Sequence, residues 1–133
     1  RSIRLPKVDD WGTVPEVGLW DLDTDGDLDV VLSRAGILYV GTGVQIIENM
    51  GYGSYASSFY PIVTAPDDYV AEHEGNEWNN FIENFQFHDV DSDGQTDIAF
   101  IGGGIRRSTK RAIGKRCISQ KSWWICIFTC RGK

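Results

Sequence analysis

The residues best suited to chemistry are aspartates that recur at the same spacing in two short stretches, residues 21–29 and 89–97. The first stretch is D-L-D-T-D-G-D-L-D and the second is D-V-D-S-D-G-Q-T-D. Five carboxylates in nine residues, as in the first stretch, repel one another strongly unless a cation lies among them. Oxygen ligands at positions 1, 3, 5 and 9, with a glycine at position 6 for the sharp turn, suit the flexible coordination of Ca²⁺.

The spacing therefore predicts one calcium ion in each loop, and the alternative is a pair of acidic turns without metal. At position 7 we expect the backbone carbonyl to be the ligand. With waters, these groups approach the roughly 6–8 oxygens that calcium takes, which favours a structural ion over one with an open position for a further ligand. The predicted metal-binding residues are Asp21, Asp23, Asp25, Asp27 and Asp29 in the first loop, and Asp89, Asp91, Asp93, Gln95 and Asp97 in the second.

An EF-hand is excluded by the residues that follow each loop. That motif requires a bidentate Glu at position 12 and a helix on either side. Position 12 is Leu32 in the first loop and Phe100 in the second, and both lie in runs rich in β-branched or aromatic residues. The sequence therefore predicts that each loop joins two β-strands.

The pattern D-x-D-x-D-G-x-x-D between two short strands resembles the FG-GAP/VCBS repeat. Residues 46–55 strengthen the likeness, because I-I-E-N-M-G-Y-G-S-Y is similar to a segment that often follows the loop in such repeats. The resemblance covers residues 14–104 and implies a blade of a calcium-bearing β-propeller, as in integrin-α heads and many secreted bacterial proteins. It also implies an extracellular or cell-surface location.

The pattern of apolar runs and turn residues predicts an all-β fold, with short antiparallel strands in propeller-blade-like sheets and no long helix in residues 14–104. The second acidic loop is preceded by an alternating strand that places Phe85 and Phe87 on one face. Pro61 favours either a sheet edge or the start of a strand. Strands are predicted at residues 16–20, 28–32, 37–40, 44–48, 59–63 and 81–88, and residues 33–36 are predicted to form a turn.

At 133 residues the chain amounts to one domain, and its charge divides it into two parts. Residues 1–105 carry all 19 acids and a net charge of −15, whereas residues 106–133 carry +9 and no acid. We divide the chain into an N-terminal segment (1–13), a β domain with two repeats (14–105) that contains an insertion loop (64–80), and a basic C-terminal segment (106–133). In that last segment, residues 122–128 are either a further strand or out-of-frame sequence, because neither the acids nor the glycine pattern of the repeats continue.

Other candidate residues are fewer and less specific. Trp78, Asn79 and Asn80 would suit stacking and hydrogen bonding to a sugar, but Trp78 also suits a core position. Both histidines, His73 and His88, lack partners at a metal-ligand spacing. The three cysteines match no zinc template, and a disulfide would have to use Cys117 or another chain, because Cys126 and Cys130 on one strand would be too far apart.

These observations predict a calcium-stabilised extracellular module that acts in structure or adhesion rather than catalysis. No serine–histidine–acid order, phosphate-binding glycine loop or nucleic-acid motif is present, and no apolar run is long enough to span a membrane. Two repeats cannot close a propeller, so we expect a homo-oligomer, a polymer or a place in a larger propeller. The alternative is a carbohydrate-binding module, and a glycan or cell-surface protein would be the partner.

Overall fold

The computed structural model describes residues 4–64, 80–104, 115–120 and 123–129, and these form two four-stranded antiparallel sheets. The first sheet is a meander in the order β1-β2-β3-β4, whereas the second has the order β5-β6-β8-β7. The strands are β1 (Val17–Trp20), β2 (Asp29–Ala35), β3 (Thr42–Asn49), β4 (Tyr55–Val63), β5 (Asn80–His88), β6 (Asp97–Gly104), β7 (Lys115–Gln120) and β8 (Trp123–Thr129).

The all-β prediction is confirmed for the described residues, which contain no α-helix and a single 3₁₀ turn. No helix among them is long and apolar enough to cross a membrane. Both acidic loops join antiparallel neighbours as predicted. Trp20 pairs with Asp29 across the first loop, and His88 pairs with Asp97 across the second.

Two details of the first sheet were predicted wrongly. The chain does not turn at residues 33–36, because β2 continues to Ala35, which pairs with Thr42. The strand predicted at residues 37–40 is instead a 3₁₀ turn over Ile37–Tyr39 within the β2–β3 connection. Leu38 and Tyr39 have φ angles of 53° and 63°, which lie in the left-handed region rather than in the extended region of a regular strand, and both side chains are exposed. The strand predicted at residues 59–63 begins earlier, at Tyr55, and forms the edge of the sheet as Tyr55–Val63, where Pro61 is tolerated.

A β-bulge interrupts β5. Glu83 pairs with Ile101 and Gln86 with Ala99, so the two residues between them on β5 face the single residue Phe100 on β6. The extra residue resets the alternation of side chains, and for this reason Ile82 and Phe85 both lie in the core although they are three residues apart.

The core lies between the two sheets, and β5 packs across the first sheet. Phe85 and Phe87 are on the same face as predicted, with Phe85 buried against Phe100 in an edge-to-face contact. Trp20 of β1 stacks on Phe87 at a centroid separation of 5.5 Å and an interplanar angle of 8°. The buried members of the core are Val31, Val44, Ile62, Val63, Ile82, Phe85, Ile98 and Phe100.

Residues 4–13 lie against the other face of the first sheet and are held there by Arg34. Its guanidinium donates to the carbonyls of Trp11 (3.3 Å) and Pro6 (3.1 Å) and to the Gln45 side chain (2.6 and 2.9 Å). Arg34 is only 7% exposed, and burial lowers its pKa. Thr13 completes the attachment through a bridge to Ala35.

The strand proposed over residues 122–128 corresponds to β8, and β7 was not predicted. Cys117 of β7 and Cys126 of β8 are partners in the register of this pair. Cys130 and most of the insertion loop, residues 65–79, lie outside the described residues.

Candidate metal centres

Each acidic loop is the tip of a β-hairpin, β1–β2 in the first case and β5–β6 in the second. The two loops adopt the same backbone pattern. Position 4 has a positive φ in both, 62° at Thr24 and 61° at Ser92, and so does position 6, at 95° for Gly26 and 88° for Gly94. Glycine adopts this left-handed conformation without strain, which explains its place in both loops.

The hairpin geometry brings together the aspartates at positions 1, 3 and 9 of each loop. In the first loop these are Asp21, Asp23 and Asp29, and each offers a carboxylate oxygen that lies within 4.8 Å of those of the other two. The second loop forms the same group from Asp89, Asp91 and Asp97. Six of the ten predicted metal-binding residues therefore converge in two clusters that could hold a metal ion.

Position 1 organises the turn through both of its oxygens. Asp21 accepts hydrogen bonds from the backbone N–H groups of Asp25 (3.1 Å) and Gly26 (3.0 Å). Asp89 does the same with Asp93 (3.0 Å) and Gly94 (2.9 Å). The backbone of each turn therefore wraps around the carboxylate at position 1, and the same carboxylate is one of the three that converge.

Position 5 has a different role in the described geometry. The Oδ1 atom of Asp25 accepts the N–H of Asp27 at 2.9 Å, and Asp93 accepts the N–H of Gln95 at the same distance. These side chains shape the second half of the turn and do not belong to the two converging groups. The ligand expected at position 7 is the backbone carbonyl of Asp27 or Gln95, and this remains a prediction.

Position 9 starts the outgoing strand and is the most buried point of each loop. Asp29 and Asp97 are each 1% exposed. Asp29 accepts the N–H of Leu22 on Oδ2 (2.9 Å) and that of Asn49 on Oδ1 (2.8 Å). Asp97 accepts the N–H of Val90 on Oδ2 at 2.8 Å. A buried carboxylate therefore ties the start of each loop to its end.

The contact between Asp29 and Asn49 links the first loop to the β3–β4 turn. The Asn49 side chain accepts the N–H of Gly51 (3.1 Å), and a Cβ at Gly51 would lie 3.8 Å from Oδ2 of Asp27. Asn49 is a site residue that the ligand spacing did not reveal. Its place in the segment 46–55, next to the glycine-rich turn, was the signal that could have identified it.

Electrostatic repulsion acts within the first cluster. Desolvation raises the pKa of Asp23 above its ordinary value of 3.8, and the charges of Asp25, Asp29 and Asp21 raise it further. The N–H of Asp25 partly offsets this effect by donating to Asp23. A cation among these oxygens would remove the repulsion, because it favours the charged form of each carboxylate.

The remaining candidate residues do not join either cluster. His88 is exposed at the end of β5, directly before Asp89. Asn80 begins β5, whereas Trp78, Asn79 and His73 lie outside the described residues. The proposed sugar-binding group is therefore still a prediction.

No family model, curated protein or solved structure matches this chain. The class of molecule is therefore defined by its own geometry. It is an all-β protein of antiparallel sheets, in which two hairpin tips each gather three carboxylates that could hold a metal ion.

Proposed function

We propose that this chain is a calcium-stabilised extracellular β module of the FG-GAP/VCBS type, with a role in structure or adhesion. The observation that carries the proposal is the equivalence of the two hairpin tips. Each brings together positions 1, 3 and 9 of the same motif with the same turn conformation. Carboxylate oxygens are the ligands that calcium prefers, and the millimolar calcium found outside cells would saturate even weak sites of this kind.

The arrangement favours a structural ion. In each loop one ligand, at position 9, is the first residue of a core strand, while positions 1 and 3 belong to the turn. An ion shared by these groups would fasten the turn to the strand. Removing it would leave several carboxylates close together, and their repulsion would weaken the hairpin.

Thermal unfolding with excess calcium and after calcium removal tests the proposal. At a free calcium concentration 100 times the dissociation constant, each site adds about 2.7 kcal/mol to stability. For a domain of this size that corresponds to a rise in Tm on the order of 10 °C per site. Identical melting curves would refute the calcium proposal.

Variants locate the effect. Asp23→Ala and Asp91→Ala should each remove part of the calcium-dependent rise in Tm. Asp9→Ala removes an exposed acid outside the loops and should leave the rise unchanged. If all three variants responded equally, the calcium effect would be a general charge effect rather than binding in the loops.

We also propose that the module associates with further copies of itself. Gly18 and Trp20 of β1 face Phe87 of the second sheet, so the alternation of the strand places Val17 and Leu19 on the opposite face. These two side chains are 57% and 55% exposed, on a strand at the edge of its sheet. Exposed apolar edge strands readily pair with or pack against another chain.

A further inference from the structure

The two loops differ in one buried atom, and this difference bears on how they would bind calcium. In the first loop, both carboxylate oxygens of Asp29 accept a backbone N–H, one from Leu22 and one from Asn49. In the second loop only Oδ2 of Asp97 is satisfied, by Val90. Its Oδ1 is buried and has no hydrogen-bond partner among the described residues.

A buried, charged oxygen without a donor is unfavourable, because it has lost water and gained nothing in return. Asp97 is one of the three aspartates that converge in the second loop. A cation held there would therefore compensate a carboxylate that is otherwise under-satisfied. The first loop has no equivalent deficit, since the β3–β4 turn already supplies the second N–H to Asp29.

Formal charge acts in the opposite direction. The first loop has Asp27 at position 7, where the second has the neutral Gln95, so the first carries one more acid. Asp27 is exposed, however, and water and salt screen the attraction of an exposed charge for a cation. The deficit at Asp97 is shielded from solvent and is not screened in this way. The burial difference should therefore outweigh the charge difference.

We infer that the two sites are filled in order, the second loop binding calcium more tightly than the first by on the order of tenfold. This inference rests on the proposed calcium function. It assigns the two loops different roles. The first hairpin tip is held in place by the protein itself, through Asp29 and Asn49, whereas the second depends on the ion to satisfy Asp97.

A calcium titration followed by ¹H–¹⁵N NMR tests the order, because each loop contains a glycine whose amide serves as a matched probe. Gly26 donates to Asp21 in the first loop and Gly94 donates to Asp89 in the second. The Gly94 resonance should reach its final position at lower calcium than that of Gly26. Simultaneous saturation, or earlier saturation of Gly26, would overturn the inference. If neither resonance moved, the calcium proposal itself would fail.

Two substitutions separate the causes. Gln95→Asp removes the difference in formal charge and should leave the second loop filling first. Asp97→Asn should weaken the second site so that Gly26 then saturates at or below the calcium concentration required by Gly94. If Asp97→Asn did not fold, the order in the unaltered protein and in Gln95→Asp would still decide the question. An order that reversed in Asp29→Asn but not in Asp97→Asn would contradict the inference.

Discussion

The carboxylate of Glu16 accepts the backbone N–H of Asn84, a residue 68 positions further along the chain. The two residues hold equivalent positions in the two hairpins. Glu16 lies five positions before the first aspartate of the first loop, and Asn84 lies five positions before the first aspartate of the second. The second oxygen of Glu16 accepts the N–H of Phe85 at 3.2 Å. Glu16 thus binds both residues of the β5 bulge and connects the two sheets.

Substitution of Glu16 should therefore loosen the contact between the sheets. Glu16→Ala removes two hydrogen bonds to a charged acceptor, and we expect a loss of about 1–2 kcal/mol in the free energy of unfolding, measured by urea denaturation. Glu83→Ala is the matched control, since Glu83 is an exposed acid beside the same bulge. An equal effect of the two substitutions would show that the bulge does not depend on Glu16.

Gly18 should be intolerant of a side chain. A Cβ there would lie 2.7 Å from Cζ and 3.0 Å from Cε2 of Phe87, whose ring is already stacked on Trp20. Gly18→Ala should cost about 1–3 kcal/mol through overpacking, and thermal or urea unfolding would measure it. Gly12→Ala is the control, because a Cβ at Gly12 would meet nothing within 4 Å. A neutral Gly18→Ala would mean that the sheets can separate slightly without loss.

Much of this architecture was readable from the sequence because it depends on local spacing. The two aspartate loops and the strands around them followed from a fixed motif and from apolar runs of strand length. The 3₁₀ turn at Ile37–Tyr39 did not, since a short apolar run between Gly36 and Gly41 has the same appearance as a strand. The length of β2 excludes a strand there. Ala35 pairs with Thr42, so Ile37–Tyr39 must lie in the short connection between β2 and β3.

The details of the site that depend on tertiary contacts were not predictable. Alternation in β5 suggested a regular strand, and only the bulge explains why Ile82 and Phe85 share the core. The Asn49–Asp29 hydrogen bond joins residues 20 positions apart and requires the meander to be formed. Spacing alone also gave no reason to expect that position 5 would lie outside the group formed by positions 1, 3 and 9. In the structure the Asp25 carboxylate accepts the N–H of Asp27 instead of joining that group.

The pH dependence of stability should change sign with calcium. The pKa of Asp23 is raised by desolvation and by nearby carboxylates, so without metal its contribution to stability is fully present below 3.8 and is lost as pH rises through the higher folded value. Metal-free protein should therefore gain stability from Asp23 as the pH falls through this raised pKa toward 3.8. With calcium, protons compete with the ion for the same oxygens, and acidification should destabilise the fold.

Melting temperatures from pH 7 down to the ordinary Asp23 value of 3.8, in calcium-free buffer and in excess calcium, would check this prediction. Asp23→Asn should reduce the gain of the metal-free protein, whereas Asp9→Asn should not. A decline in Tm on acidification in both buffers would contradict the proposed repulsion among the carboxylates of the first loop.

Arg34 should be irreplaceable by lysine. Its planar guanidinium reaches the Gln45 side chain and the carbonyls of Pro6 and Trp11 at once, and a single ammonium group cannot reproduce that geometry. Arg34→Lys should cost about 2–4 kcal/mol, because buried acceptors lose their donors. Urea denaturation would measure the loss, with Arg4→Lys, an exposed position, as the control. Equal stabilities would mean that Arg34 does not fix the N-terminal segment.

The proposed self-association should depend on the apolar pair Val17 and Leu19. In the second hairpin the corresponding positions, 68 residues further on, are Phe85 and Phe87, and these lie in or against the core between the two sheets. The equivalent face of the first sheet is partly covered by residues 4–13, but Val17 and Leu19 are more than half exposed there and mark the part of the face on which a second copy would pack.

A charge on this face should prevent stacking, because it would have to be desolvated without a partner. Leu19→Lys should shift the protein toward the monomer in light scattering at micromolar concentration with calcium, while its melting curve at low concentration stays near that of the unaltered chain. Ile37→Lys introduces the same charge at a residue that is 66% exposed on the 3₁₀ turn, and it should leave association unchanged. If the unaltered protein were a stable monomer under these conditions, the two sheets would form a stable fold without a second copy. Val17 and Leu19 would then have no role in assembly.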